Sequence, residues 1–244
     1  MQTALATDTP TTTRQLKVGG VVPFSATDYP GKLAAVVFVQ GCPWQCAYCH
    51  NPHLQARTEA SAAPWEQVLT TLKRRAGLLD AIVFSGGEPT IDPALEDAIK
   101  QVRTLGFQVG LHTAGAYPRR LAEILPLLDW VGIDIKAPFA DYGRTTGIAG
   151  SGQQALTCAK AVIASGIAHE FRTTIHPDLI SDDALLDLAQ TLSAMSVQNY
   201  ALQVFRKTGC NSDALAAVTI DTYSGNEVVA KLSKMFARFT LRNA

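Results

Sequence analysis

Residues 34–50 read Ala34-Ala35-Val36-Val37-Phe38-Val39-Gln40-Gly41-Cys42-Pro43-Trp44-Gln45-Cys46-Ala47-Tyr48-Cys49-His50. Six apolar residues in a row, half of them valine, predict a strand buried on both faces. A loop carrying three cysteines follows at once. The same unit, a short buried strand leading into a polar turn, recurs along the chain. Further strands are predicted at Ala81–Ser85, Phe107–Leu111, Trp130–Ile135, Glu170–Ile175 and Tyr200–Phe205. Between them lie stretches of helical periodicity at about Pro64–Ala76, Asp92–Leu105, Pro118–Leu128, Gly152–Ser165 and Asp182–Ala194, with a last one around Asn226–Phe239. Asp92 before Pro93 reads as a helix N-cap. Six strand–helix units in strict order predict an α/β fold with a parallel sheet and crossover helices. Such a sheet closes partway into a barrel or opens into a doubly wound sheet, and either form puts ligand chemistry at the carboxyl ends of the strands.

The unusual residues fall at those ends. The first strand runs into the cysteine loop and the second into Gly86-Gly87-Glu88-Pro89. The third leads to His112-Thr113-Ala114-Gly115 and the fourth ends in Asp134-Ile135-Lys136. Arg172 lies on the fifth with His176 just beyond it, and Gln203 lies on the sixth. Polar and metal-binding residues thus gather at one rim.

Composition sets the outer bounds. The 244 residues carry 21 Lys+Arg and 21 Asp+Glu, a formal net charge of zero, which argues against nucleic acid as a partner. Apolar residues make up 47% and charged ones only 17%, so either the core is large or part of the rim is a docking surface. No apolar run reaches the roughly 20 residues of a membrane span, and the Thr-rich start is not a secretory signal. The expected location is therefore cytoplasmic, where thiols stay reduced. Residues 1–16 read as a flexible leader and 17–244 as one domain without internal linker or repeat.

Five cysteines are present, three of them within eight residues. In a reducing compartment that cluster reads as a metal site. Cys42, Cys46 and Cys49, spaced C-x3-C-x2-C, can wrap a compact polynuclear centre. A [4Fe–4S] cluster takes four thiolates, so three leave one iron open to bind and activate a ligand. A structural zinc on the three cysteines plus His50 is a rival, though closed zinc sites draw on separated ligand pairs. Cys46-Ala47-Tyr48-Cys49-His50 also matches a haem attachment pattern, which would leave Cys42 idle. Cys158 and Cys210 read as small buried residues.

With this loop the chain resembles the radical S-adenosylmethionine (radical SAM) enzymes. Asp28-Tyr29-Pro30-Gly31-Lys32, Phe38-Val39-Gln40-Gly41-Cys42-Pro43 and Tyr48-Cys49-His50-Asn51-Pro52 resemble, more narrowly, the activating enzymes of glycyl-radical proteins. Asp-Tyr-Pro-Gly is most similar to the activating proteins of anaerobic ribonucleoside-triphosphate reductases. The resemblance covers roughly residues 18–210. It implies a partial (β/α)6 TIM-like barrel, a [4Fe–4S] cluster on Cys42, Cys46 and Cys49, and S-adenosylmethionine chelating the open iron.

The implied cofactor set is Tyr48, Gly86, Gly87, Glu88, Thr113, Asp134, Lys136, Arg172 and Gln203. Gly86 and Gly87 would let backbone carbonyls approach the ammonium, with Glu88 adding negative charge. Asp134 and Lys136 alternate on one strand and share a face, so one can engage the ammonium and the other the carboxylate. An ordinary turn and a structural ion pair are the plain alternatives. Arg172 would reach the carboxylate or adenosine, Gln203 the ribose, and Tyr48 the cluster or adenine, unless it is a structural aromatic. His176 reads equally as a cap or a site residue. Relatives often have Asp-Thr-Asn-Gly where this chain has His112-Thr113-Ala114-Gly115, which puts a monovalent cation site in doubt.

The resemblance further implies that flavodoxin or ferredoxin reduces the cluster. S-adenosylmethionine is then cleaved to a 5′-deoxyadenosyl radical, which takes a Cα hydrogen from a glycine of the partner enzyme. A pyruvate formate-lyase-type activase, a radical SAM enzyme acting on a small molecule, and a non-catalytic iron–sulfur or zinc protein are the other readings.

Overall fold

A computed structural model describes residues 14–58, 60–217 and 226–243. Its centre is one eight-stranded sheet in sequence order: β1 (Val18–Ser25), β2 (Ala34–Val39), β3 (Ala81–Gly86), β4 (Gln108–Thr113), β5 (Trp130–Asp134), β6 (Ala168–Ile175), β7 (Asn199–Val204) and β8 (Arg238–Arg242). β1 pairs antiparallel with β2, and every later pair is parallel. β1 and β8 do not pair, so the sheet is a partial barrel. The six predicted strands are β2 to β7. Two further strands flank the expected six, β1 as a hairpin arm before the first unit and β8 after the last.

The helices α1 (Trp65–Lys73), α2 (Leu95–Thr104), α3 (Pro118–Ile124), α4 (Tyr142–Thr146), α5 (Ser151–Ser165), α6 (Asp182–Ala194), α7 (Asp213–Ala217) and α8 (Asn226–Ser233) fill the crossovers. The last helix is shorter than expected, and the stretch predicted to carry it to Phe239 turns into β8. Asp92 is not the cap of α2, which begins after Ala94. Its buried carboxylate accepts from Ala94 N at 2.9 Å and Lys17 N at 2.8 Å, and pairs with Arg57 Nη1 at 3.0 Å. Of the predicted leader, residues 1–13 lie outside the described residues, while Leu16 is buried in the core.

Alternation along the strands divides the interior in two. Outward residues such as Val37, Phe84, Leu111, Ile133, Phe171 and Leu202 pack on the helices as the main core. Inward residues Ala34, Val36, Ala81, Val83 and Trp130 form a second cluster closed by Tyr29. The loop joining β1 to β2 therefore fills the barrel floor, where Tyr29 stacks on Trp130 with centroids 5.2 Å apart. Large apolar side chains that remain exposed, Val21, Val22, Phe24, Leu33 and Leu78, lie along β1 and in the turns before β2 and β3, away from the polar rim.

β8 is locked on by charge. Glu170 on β6, 3% exposed, receives Arg242 Nη1 at 2.8 Å and Nη2 at 2.9 Å across the intervening β7. Removing the guanidinium strands a buried carboxylate, which costs about 3 kcal/mol or more. Arg242→Ala should lower the urea midpoint accordingly, and adding Glu170→Gln should recover part of the loss.

Candidate metal centre and its rim

The cysteine loop is held from three sides. Gly41 N donates to Leu54 O at 2.8 Å and Cys42 N to Gln55 O at 3.0 Å, so the loop is closed on its own continuation. Gln45 N donates to Thr146 O at 2.8 Å, fastening it to α4. Trp44, 1% exposed, meets Tyr142 edge-on at 5.6 Å. The Tyr142 hydroxyl in turn donates to Asp134 O at 3.2 Å and accepts from Lys136 N at 3.0 Å. One aromatic pair thus couples the loop to the end of β5. No sequence signal marks Tyr142 for this task.

The third side is the Gly86-Gly87-Glu88 turn. Gly86 has φ +123°, and a Cβ there would fall 2.4 Å from the Val39 backbone. A Cβ on Gly87 would lie 2.3 Å from Gly41 O. These glycines are needed for close backbone contact between the end of β3 and the start of the cysteine loop, a reason different from the ligand approach predicted for them. Gly87 N donates to Val39 O at 3.0 Å and Glu88 N to Gly41 O at 2.8 Å. The Glu88 carboxylate is fully buried and accepts from Thr90 Oγ1 (2.6 Å), Thr113 Oγ1 (2.8 Å) and Ala114 N (2.8 Å). Glu88 and Thr113 therefore hold the ends of β3 and β4 together.

Asp134, Lys136 and Arg172 meet at the mouth. Arg172 is buried and its Nε donates to Asp134 Oδ1 at 3.0 Å, its guanidinium 5.9 Å from the centre of the Trp130 ring. It lies across Gly132, where a Cβ would approach Arg172 Nη2 to 2.6 Å. Burial alone would raise the Asp134 carboxyl, but Arg172 and then Lys136 outweigh it and hold it below its ordinary value. Lys136 Nζ lies 5.2 Å from the Tyr48 ring centre. Burial opposes its charge, and Tyr48, Cys46 and Asp134 more than restore it, so its pKa stands well above the usual lysine value.

The thiols sense the same charges. Burial pushes Cys42 up to about 12, with Glu88 and Cys46 adding to the rise and Lys136 opposing it. Cys46 is raised by burial, against the pull of Lys136. Without a cation these groups are thiols, and a metal centre must displace their protons. Cys42, Cys46 and Cys49 are all partly exposed and unbridged. Among the described residues, no three His, Cys, Asp or Glu side chains converge on a point as a single ion requires. His50 is engaged with the segment after β7: its Nε2 meets Arg206 O at 3.0 Å and its ring stacks on Phe205 at 5.7 Å. The donor set suits a polynuclear centre, with one thiolate per iron, better than a zinc closed by His50.

His112 points into the barrel, its ring edge-on to Trp130 at 5.5 Å. Its Nε2 donates to Asp28 O at 2.7 Å, so the approach of Arg172 Nη1 at 3.4 Å sets two donors together. Burial, then Arg172, push the imidazole down to about 4. His176 is 1% exposed; Nδ1 accepts from Asp178 N at 3.1 Å, and Nε2 finds no partner among the described residues. It caps the turn after β6 and packs edge-on against Phe205 at 5.2 Å. Gln203 sits on β7 in register with Thr174 and Arg242.

Two outcomes follow from this geometry. Gly87→Ala should destabilise the chain by about 1–3 kcal/mol, the usual cost of overpacking, read from urea unfolding. The His112 pKa is lower folded than the roughly 6.5 of an unfolded chain. Its neutral form contributes stability that is full above about pH 6.5 and is lost as pH falls toward 4. His112→Asn should flatten the pH dependence of the urea midpoint across that window; an unchanged slope would assign it to other groups.

Comparison with known proteins brings the chain into a family. The family model described as the radical SAM superfamily matches residues 36–191. A protein of Methanocaldococcus jannaschii provisionally named a glycyl-radical enzyme activating enzyme is 27% identical over 226 residues, which cover 90% of this chain and 92% of that one. The pyruvate formate-lyase-activating enzyme of Clostridium pasteurianum is 30% identical over 203 residues, covering 80% and 84%. The crystal structure of Streptococcus suis SuiB bound to the precursor peptide SuiA superposes with a TM-score of 0.66 at 15% identity. That match covers 85% of this chain and 48% of SuiB, so the chain spans about half of that structure. Among the described residues no helix is long and apolar enough to cross a membrane.

Proposed function

Because the chain belongs to the radical SAM superfamily, we propose that it activates a glycyl-radical enzyme with the [4Fe–4S] cluster and S-adenosylmethionine that this superfamily uses. The observation that carries the reading is one rim that ties the cysteine loop to the end of β5: Trp44 meets Tyr142, whose hydroxyl bonds Asp134 O and Lys136 N, and Lys136 Nζ lies 5.2 Å from the ring of Tyr48 between the cysteines. The relatives named as glycyl-radical and pyruvate formate-lyase activating enzymes, covered over most of their length, support the kind of partner.

Cys42, Cys46 and Cys49 would hold three irons and leave the fourth to the amino acid end of S-adenosylmethionine. When bound, the pair supplies a 5′-deoxyadenosyl radical that takes a hydrogen atom from a glycine Cα. The protein's part is placement. Asp134 offers a carboxylate to the ammonium, and Lys136, kept charged and held over Tyr48, offers a cation to the carboxylate. Arg172 braces Asp134 from behind. Glu88 and Thr113 act by fixing the turn whose Gly86 and Gly87 carbonyls would meet the ammonium. Gln203, on the far side of the mouth, would meet the ribose.

Asp28-Tyr29-Pro30-Gly31 favours an anaerobic ribonucleoside-triphosphate reductase as the partner, with flavodoxin or ferredoxin as the electron donor in the cytoplasm. The relative named for pyruvate formate-lyase favours that enzyme as the second reading. Anaerobic reconstitution should load about four irons per chain, and Cys42→Ala should abolish loading. Asp134→Asn and Lys136→Ala should each weaken S-adenosylmethionine binding about 10- to 100-fold, the worth of a charged hydrogen bond. Reduced, iron-loaded protein mixed with S-adenosylmethionine and each partner should yield a glycyl radical by electron paramagnetic resonance on one of them. A reduced, loaded cluster that gives no signal with either would overturn the assignment.

A further inference from the structure

Sequence reasoning left Cys210 as a bystander, but the fold brings it to the cysteine loop. The segment after β7 lies against residues 46–50 at several points. Cys210 Sγ is 3.6 Å from Ala47 O, directly between Cys46 and Cys49 in the chain. His50 Nε2 meets Arg206 O at 3.0 Å, and a Cβ on Gly209 would fall 2.6 Å from His50 O. Cys46 and Cys210 both pack against the small apolar cluster of Tyr48, Phe205 and Leu215. Cys210 is partly exposed, so small oxidants reach it. A fourth thiol thus touches the loop backbone between Cys46 and Cys49, with no disulfide among the five cysteines.

We propose that Cys210 is a resolving thiol for the cysteine loop, forming a disulfide with Cys46 or Cys49 when peroxide attacks a loop that has lost its iron. This rests on the reading of that loop as the cluster site. Hydrogen peroxide, formed when oxygen is reduced, transfers one oxygen to a loop thiolate, giving a sulfenic acid and the first water. The Cys210 thiolate attacks that sulfur; an S–S bond forms, the S–O bond breaks, and the departing hydroxide takes a proton as the second water. Two thiols lose two electrons and one peroxide becomes two waters. The disulfide stops the loop sulfur on the reversible step, before the sulfinic acid that thiols do not reverse. Cys42, whose N–H is tied to Gln55 O, is not the partner expected.

Disulfide mapping tests this directly. The iron-loaded chain, and separately the chain never loaded with iron, are treated with a few equivalents of hydrogen peroxide, alkylated without reduction, digested and analysed by mass spectrometry. The expected product joins Cys210 to Cys46 or Cys49 in both samples. Cys210→Ser should lack it and carry several-fold more sulfinic acid on the loop. After thiol reduction and reconstitution, the wild-type chain should regain several-fold more iron than Cys210→Ser. Recovery of Cys210 as the alkylated thiol, with the loop cysteines paired among themselves or overoxidised, would overturn the proposal. Failure of the untreated chain to load iron would instead count against the cluster assignment, and mapping of the iron-free sample would still decide the role of Cys210.

Discussion

A single buried carboxylate sets the geometry of the rim. Glu88 has no solvent to satisfy it, and an unanswered buried charge is far more costly than any one contact returns. Its oxygens are met by Thr90, Thr113 and Ala114, while its own N–H bonds to Gly41 O. Three separate strand ends, those of β2, β3 and β4, are thereby set at fixed spacing. The cysteine loop starts from the first of them, so its position follows from a hydrogen-bond set that contains no cysteine.

The charges at the mouth follow a related logic. Asp134 stands between Arg172 and Lys136, and Lys136 is shared among Asp134, Tyr48 and Cys46. The protein alone therefore already sets charges of both signs side by side at the mouth. Under the proposed function a zwitterionic ligand would exchange partners among these groups rather than bring charge into an apolar pocket. Arg172 can lie flat beneath Asp134 because Gly132 leaves room and Trp130 supplies a face. His112, kept neutral, adds a polar wall without a further charge.

Much of this was legible in residue order. The strands β2 to β7 are short apolar runs, and periodicity alone locates them within a residue or two. β1 was not legible, because Gly19, Gly20 and Pro23 break its apolar pattern and only pairing with β2 makes it a strand. β8 was hidden in a segment whose apolar spacing continues that of α8, and tertiary pairing with β7 overrides it. The rim could be read as a set of residue types, since chemistry restricts which side chains bind metal or zwitterion. The partners that position them could not. Gly86 and Gly87 point to close approach, yet what they approach is the backbone of Val39 and Gly41. Cys210 carries no local signal, and its neighbourhood with Ala47 exists only once β7 lies beside β6.

The floor formed by the β1–β2 loop bears on how the chain reaches this state. His112 and Asp28, joined by a hydrogen bond, are 84 positions apart, and Tyr29 meets Trp130, farther along still. Loop closure over such separations precedes any gain from the contact, and parallel sheets fold slowly for the same reason. The hairpin can form early from local pairing, but its aromatic plug has no seat until β5 is in place. During that interval Tyr29 and the inward faces of β2 and β3 are uncovered. The step that completes the barrel floor is thus the natural point at which folding and aggregation compete.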